Sequence, residues 1–305
     1  MTLVTPGQSR AQLLLRAMPL VFVLIWSTGF IVARYGMPFA PPMKFLATRY
    51  VLSIACFVLW VLLARVQWPV GRAQWFHLSI TGCLMHAGYL GGVWAAVKAG
   101  MGPGLAALIV GLQPVLTALW SSYTGLAVTR QQWMGLILGF TGLALVVSRQ
   151  FGDGADLARI NLSLALACGA LLSITTGTLY QKRFVATCDV RSASLVQLLA
   201  AFAVTFPLAC LESEDMVWTA QLTGAMAWSV LALTLGGSSL LYMLLQRGAA
   251  TSVTSLLYMV PPCTALMAWV LFAEPVTLTT VAGTALTALG VGFVLRAAPL
   301  QQSRS

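Results

Sequence analysis

The 305-residue chain is 59% hydrophobic and 8% charged, with a mean hydropathy of +0.88. That leaves too little polar side chain to cover a water-facing surface, and a soluble globular fold is excluded. Its 17 Lys and Arg against 7 Asp and Glu give +10, a balance that in a soluble domain suggests nucleic acid, but the basic residues stand singly or in pairs between apolar runs and form no basic patch.

A hydrocarbon core about 30 Å thick takes about 20 apolar residues of helix, and ten such runs are predicted. The first, 17–32, follows Arg10 and Arg16 and contains Trp26, Ser27 and Thr28. A signal peptide has a similar start, but no small-x-small cleavage site follows, so the run is read as a span. The second is 45–63, and the third, 75–97, carries His86, Tyr89 and Trp94. The fourth, 101–123, contains Gln113 and Pro114, and the fifth is 133–148. The sixth, 162–180, contains Thr175 and Thr176; the seventh is 194–211; the eighth, 222–245, contains Tyr242. Gln246 lies just beyond it, the ninth run, 251–272, holds Tyr258, Pro261 and Pro262, and the tenth is 277–295. Short connections leave no room for a soluble domain. The six cysteines form no disulfide framework and read as apolar thiols.

Sliding the chain against itself by 148 positions aligns Gly29 with Gly177, Gly88 with Gly236, Gly100 with Gly248, Pro114 with Pro262, Thr129 with Thr277, Gly135 with Gly283 and Gly142 with Gly290. Each half then has five spans. An odd number inverts the second copy in the membrane, which is the architecture of alternating access. With the N-terminus inside, the inner face collects Arg10, Arg16, Arg65, Arg72, Arg130, Lys182, Arg183, Arg191, Arg247, Arg296 and Arg304 with one acid, Asp189. The outer face has six basic and six acidic residues, counting Arg49, although that residue falls within the second run. The whole excess falls inside, as the positive-inside rule requires. The predicted fold is an all-α integral membrane protein of ten transmembrane helices in two inverted five-helix repeats, N-in and C-in. Its segments are a tail 1–16, a first repeat 17–148, an extracytoplasmic linker 149–159, a second repeat 160–296 and a tail 297–305.

Intramembrane polar groups are costly and are functional candidates. Apart from helix ends, His86 and Arg49 are the ionisable residues that reach any depth, and no acid does. The scarcity of fixed cations argues against phosphorylated substrates and for a neutral or zwitterionic one with apolar parts. Candidate cavity-lining residues are Trp26, Ser27, Thr28, His86, Tyr89, Trp94, Gln113, Thr175, Thr176, Tyr242, Gln246 and Tyr258; a packing role is the competing reading for each. Pro114, Pro261 and Pro262 read as mid-helix kinks or hinges. The spacings Gly88/Gly92, Gly100/Gly104 and Gly135/Gly139 read as close helix contacts. No phosphate-binding loop, metal-ligand spacing or catalytic set is present, so no cofactor, metal or enzymatic activity is expected. Facilitated transport of a small molecule is expected, with proton-coupled export of drugs, organic cations or another metabolite as the alternative, and a channel, a scramblase or an intramembrane enzyme behind it.

Trp26-Ser27-Thr28-Gly29-Phe30, Phe45-Leu46-Ala47-Thr48-Arg49, the stretch 106–114, Pro261-Pro262, Phe272-Ala273-Glu274-Pro275 and the glycines Gly283 and Gly290 together resemble the EamA-type transporters of the drug/metabolite transporter superfamily. The resemblance covers roughly residues 18 to 296, and within the family it is nearest the YddG-type amino-acid exporters. It implies a multi-pass protein of the bacterial inner membrane that exports neutral, aromatic or apolar amino acids and related metabolites, with lipid and the small-molecule substrate as partners, no nucleic acid, and a monomeric or homodimeric state. One departure stands out: the family's glutamate is present as Glu274, but its repeat-equivalent position is Leu126.

Overall fold

The computed structural model describes residues 6–64, 66–123, 129–151, 156–237, 239–240 and 259–296. Among these the chain is all helix: α1 (Pro6–Gly36), α2 (Pro42–Leu63), α3 (Arg72–Lys98), α4a (Pro103–Val110), α4b (Gln113–Tyr123), α5 (Arg130–Ser148), α6 (Leu157–Phe184), α7 (Val190–Leu211), α8 (Ala220–Gly236), α9 (Val260–Phe272) and α10 (Leu278–Arg296). Seven of these helices, counting α4a and α4b together, are long and apolar enough to cross a membrane. The apolar stretches 220–236, 260–272 and 278–294 are shorter, and the rest of the predicted eighth and ninth runs, with Tyr242, Gln246 and Tyr258, lies outside the described residues.

The exterior is apolar. Leu59, Ile137, Leu172, Leu231 and Val270 are each more than half exposed, while Ser27, Ser53, Thr81, Ser192, Thr205, Ser229 and Thr264 are fully buried. A surface of this kind is stable only in contact with lipid.

The 148-residue offset reappears in the coordinates. It carries both ends of α2 onto α7 and both ends of α5 onto α10; it also maps the start of α3 onto that of α8 and the end of α1 onto that of α6. The reason is local chemistry repeated at the same places. Thr129 caps α5, its Oγ1 accepting from the Gln132 N–H at 3.2 Å, and Thr277 accepts from the Thr280 N–H at 3.2 Å at the start of α10. In each case a hydroxyl takes one of the unpaired first-turn donors.

Contacts between the halves cross. Gly135 packs on Gly290 and Gly142 on Gly283, so α5 and α10 run antiparallel and meet at Gly139 and Thr287, which are repeat-equivalent. Only glycine fits here, because a Cβ at any of the four would fall on the facing backbone. The start of α2 meets the end of α7, with Glu212 accepting from the Met43 and Lys44 N–H groups at 2.9 and 2.8 Å. The start of α7 meets the end of α2, where Ser192 Oγ donates to the Gln67 carbonyl at 2.8 Å. Gly111 of the α4 break packs on Pro261 of α9. Three antiparallel contacts between equivalent helices define an approximate two-fold axis perpendicular to them. Around it, α1 packs on α8 through Gly29 and Leu233, and α6 packs on α3 through Gly177 and Met85, the equivalent pair.

The predicted glycine contacts divide. Gly92 lies against Ala170 and Leu166 and Gly88 against Ser173, closing α3 onto α6. Gly100 has φ +101° and ends α3 as a turn beside Arg159; its role is conformational.

One cap gives a pH-dependent prediction. Asp189 caps α7, accepting from the Arg191 N–H at 2.9 Å and pairing with its guanidinium at 2.6 Å. Those hydrogen bonds hold its carboxyl below the usual carboxylate range. A depressed folded value contributes stability above the unfolded value, near pH 3.9, that is lost as pH falls through the folded one. Asp189→Ala is expected to cost about 1 kcal/mol at pH 7, with the difference from the parent shrinking only below about pH 4. Thermal unfolding in detergent at both pH values checks it.

Candidate substrate site

Two stretches depart from α-helical winding, Cys83–Gly88 within α3 and Ser229–Gly236 at the end of α8, both π-helical. They end at the repeat-equivalent Gly88 and Gly236. π turns leave carbonyls without their usual partners and concentrate at functional sites. Here neighbouring helices supply the donors: Ser173 Oγ of α6 donates to the Leu84 carbonyl at 2.8 Å, and Tyr50 Oη of α2 to the His86 carbonyl at 2.9 Å.

Each π stretch also receives a side chain from the α2/α7 pair. Arg49 of α2 donates from Nε and Nη2 to Thr234 Oγ1 at 3.3 and 3.1 Å, and Thr234 Oγ1 gives its own proton to the Ser229 carbonyl at 2.9 Å. Gln197 of α7 lies beside His86, its backbone packed on Gly82 at the start of the π stretch. The offset carries residue 49 to 197 and residue 86 to 234, so the two pairs occupy equivalent places on opposite sides of the axis. One is cationic and the other neutral, a symmetric frame with unequal chemistry. Tyr89 is buried, and Tyr50 and His86 make an edge contact at 6.3 Å.

The other sequence-predicted residues fall in several places. Trp94 is 1% exposed and stacks on Phe45 at 4.3 Å, so it packs the C-terminal end of α3. Trp26 is half-buried against Phe22. Ser27 donates to the Val23 carbonyl, Thr175 to Leu171 and Thr176 to Leu172, each four residues back in its own helix. Thr28 accepts from the Trp228 indole at 2.9 Å. Gln113 donates to Thr178 Oγ1 at 2.9 Å where α4 breaks. Pro114 is the second residue of α4b, and Pro261 and Pro262 lie in the first turn of the described part of α9. Proline fits a helix start, where its missing N–H removes no helical bond. In α4 the chain therefore stops at Gly111-Leu112 and starts again, and the expected mid-helix kink is a break between two segments.

Arg49 is the residue that sequence reasoning left out of the site. Counted with the outer-face charges, it is 7% exposed inside α2. The signal was present: it is seven residues past the proline that starts α2, about 10 Å along the axis. Glu274 lies just past the C-terminal end of α9 against Gly102, which precedes α4a; burial raises its carboxyl, and Arg34 opposes that shift.

The apolar exterior, the few polar groups buried inside it and the paired repeats are those of a multi-pass helical membrane protein. Residues 15–148 and 161–296 each match the EamA-like transporter family, and the chain belongs to it. It is 26% identical over 278 residues to the uncharacterized transporter YvbV of Bacillus subtilis, covering 89% of this chain and 88% of that one. It is 25% identical over 210 residues to the uncharacterized inner membrane transporter YedA of Escherichia coli, covering 69% and 66%. A Salmonella typhimurium protein named probable amino-acid metabolite efflux pump is 26% identical over 165 residues, 54% of this chain and 52% of its own. A solved crystal structure shares the fold with a TM-score of 0.62 at 20% identity, over 90% of this chain and 94% of that one.

Proposed function

We propose that the chain is a ten-span secondary transporter of the bacterial inner membrane, N-in and C-in, with segment boundaries as predicted above. It exports neutral amino acids with aromatic or apolar side chains, and related metabolites, down their own gradient by alternating access. Within the family this is the YddG-type activity. The observation that carries the reading is the Arg49 to Thr234 bridge between the repeats, with Gln197 beside His86 at the equivalent place about the two-fold axis. A site on such an axis faces either side when the repeats rock against each other. The relative named for amino-acid metabolite efflux supports the substrate class.

Counterflow in proteoliposomes with a panel of aromatic, aliphatic and charged amino acids tests it. Saturable exchange of aromatic and apolar amino acids, not accelerated by an imposed pH gradient, is expected. Transport of an organic cation or a sugar with no neutral amino acid carried overturns the reading, and acceleration by the pH gradient replaces the uniport with proton antiport.

A further inference from the structure

We infer that Arg49 is the carboxylate anchor of the central site, pairing with the carboxylate of the transported molecule. This deepens the proposed function and rests on it. A guanidinium is always charged and needs a counter-charge when it is taken out of water. Arg49 is 7% exposed within a membrane-spanning helix, and it has no carboxylate partner among the described residues. The described acids, Asp156, Asp189, Glu212, Glu214, Asp215 and Glu274, all lie between helices and none lies within one.

The bonds it does make leave capacity for an anion. The guanidinium has five N–H donors in a planar fork. Nε and Nη2 address Thr234 Oγ1, and that oxygen can only accept, because its proton goes to the Ser229 carbonyl. Thr234 thus fixes one edge of the fork, and among the described residues Nη1 makes no hydrogen bond, which leaves it to pair with an oxyanion in the geometry that suits carboxylates. Burial inside the bundle keeps lipid phosphate away, so the anion arrives with the substrate or as a small free ion. The equivalent position on the other side of the axis is the neutral Gln197, so the site has one cationic arm and fixes which end of a zwitterion lies where. The bridge also joins the two repeats, Arg49 from the first and Thr234 from the second, so an anion that draws the guanidinium away loosens a contact between the moving halves.

The experiment compares three probes of similar shape in proteoliposomes: L-phenylalanine, L-phenylalaninamide and 3-phenylpropanoate. Wild-type protein and the variants Arg49→Lys and Arg49→Gln are used, in chloride and in gluconate. Wild type is expected to prefer phenylalanine to its amide by about tenfold or more in apparent affinity. Arg49→Gln is expected to weaken both carboxylates by about the same factor and to leave the amide within about twofold, with Arg49→Lys between. Equal affinity of wild type for phenylalanine and its amide overturns the inference, and this needs no variant to fold. An equal loss for all three probes in Arg49→Gln assigns the residue to structure and also overturns it. A requirement for chloride with every probe means that the arginine holds a resident ion, which again overturns it. If 3-phenylpropanoate is carried in an Arg49-dependent way and no amino acid is, the anchor stands and the amino-acid reading falls. Failure of both carboxylates to bind removes the anchor.

Discussion

Gly142→Ala is expected to lower the thermal midpoint and to reduce folded, transporting protein by up to about tenfold, whereas the same methyl added at Gly169 is neutral or stabilising. At Gly142 the new Cβ falls on the Gly283 carbonyl and on the backbone N–H of Thr287. Backbone cannot rotate away as a side chain can, so α5 and α10 must separate along their crossing. Overpacking of this kind costs about 1–3 kcal/mol, and about 1.4 kcal/mol is tenfold in an equilibrium. At Gly169 no atom lies within 4 Å of the added Cβ, and alanine is favoured over glycine in a helix by about 1 kcal/mol. The two variants add identical atoms, so opposite signs can only come from the crossing. Gly142→Ala combined with Gly290→Ala is expected to cost less than the sum of the two, since the first methyl already parts the helices that the second would push apart. Thermal unfolding in detergent and counterflow rates decide it; a Gly142→Ala protein as stable as Gly169→Ala would mean that the helices are not held this closely.

The same crossing shows why the fold was legible in the sequence. Close approach of two helices needs glycine, and a repeat keeps it in both copies, so Gly135, Gly142, Gly283 and Gly290 appear at one offset. Thr129 and Thr277 recur because each is a cap. The site was less legible. Depth in the membrane depends on where α2 begins, and a charge near a helix start reads equally well as an outer-face residue, so Arg49, though named for its depth, was counted with the outer face and left off the candidate lining. The π turns that bring Thr234 to Arg49 and Gln197 to His86 leave no residue-type signature, since they depend on donors from other helices, Ser173 and Tyr50. Trp94 and Tyr89 are close in sequence, but five residues of regular helix turn Trp94 about 140° away from Tyr89, onto the stacked contact with Phe45. The serine and threonine pairs at 27–28 and 175–176 bond to carbonyls of their own helices, a choice that composition does not reveal.

On the proposed topology, the outer end of the bundle is where transport is expected to be most easily stopped. There the loop between α7 and α8 straps the first repeat: Lys98 Nζ meets Glu214 at 2.6 Å, Lys44 Nζ meets Asp215 at 2.9 Å, and the Val217 N–H donates to the Phe39 carbonyl at 2.8 Å. Two-fold symmetry places the Ser192 to Gln67 hydrogen bond at the inner end, opposite the Lys44 to Asp215 pair. The outer strap is therefore ionic and the inner one neutral. Exposed ion pairs contribute about 0–1 kcal/mol each, a strength suited to a contact that must open in every cycle. A covalent link at the same place cannot open. In a chain whose six cysteines are replaced by alanine, Lys98→Cys with Glu214→Cys joined by a short bis-methanethiosulfonate, which attaches to each thiol through a disulfide with loss of sulfinate, is expected to lose transport by more than about tenfold and to regain it on reduction, because an interface held shut removes the outward-facing state of the proposed cycle from the population that transport requires. A flexible linker suits this pair better than a disulfide, which needs Cα atoms within about 7 Å. Either single cysteine treated alike should transport normally, which separates closure of the strap from loss of the ion pair. Unchanged counterflow in the linked protein would mean that the outer ends of α3 and the α7–α8 loop stay together throughout the cycle, and that the repeats open elsewhere.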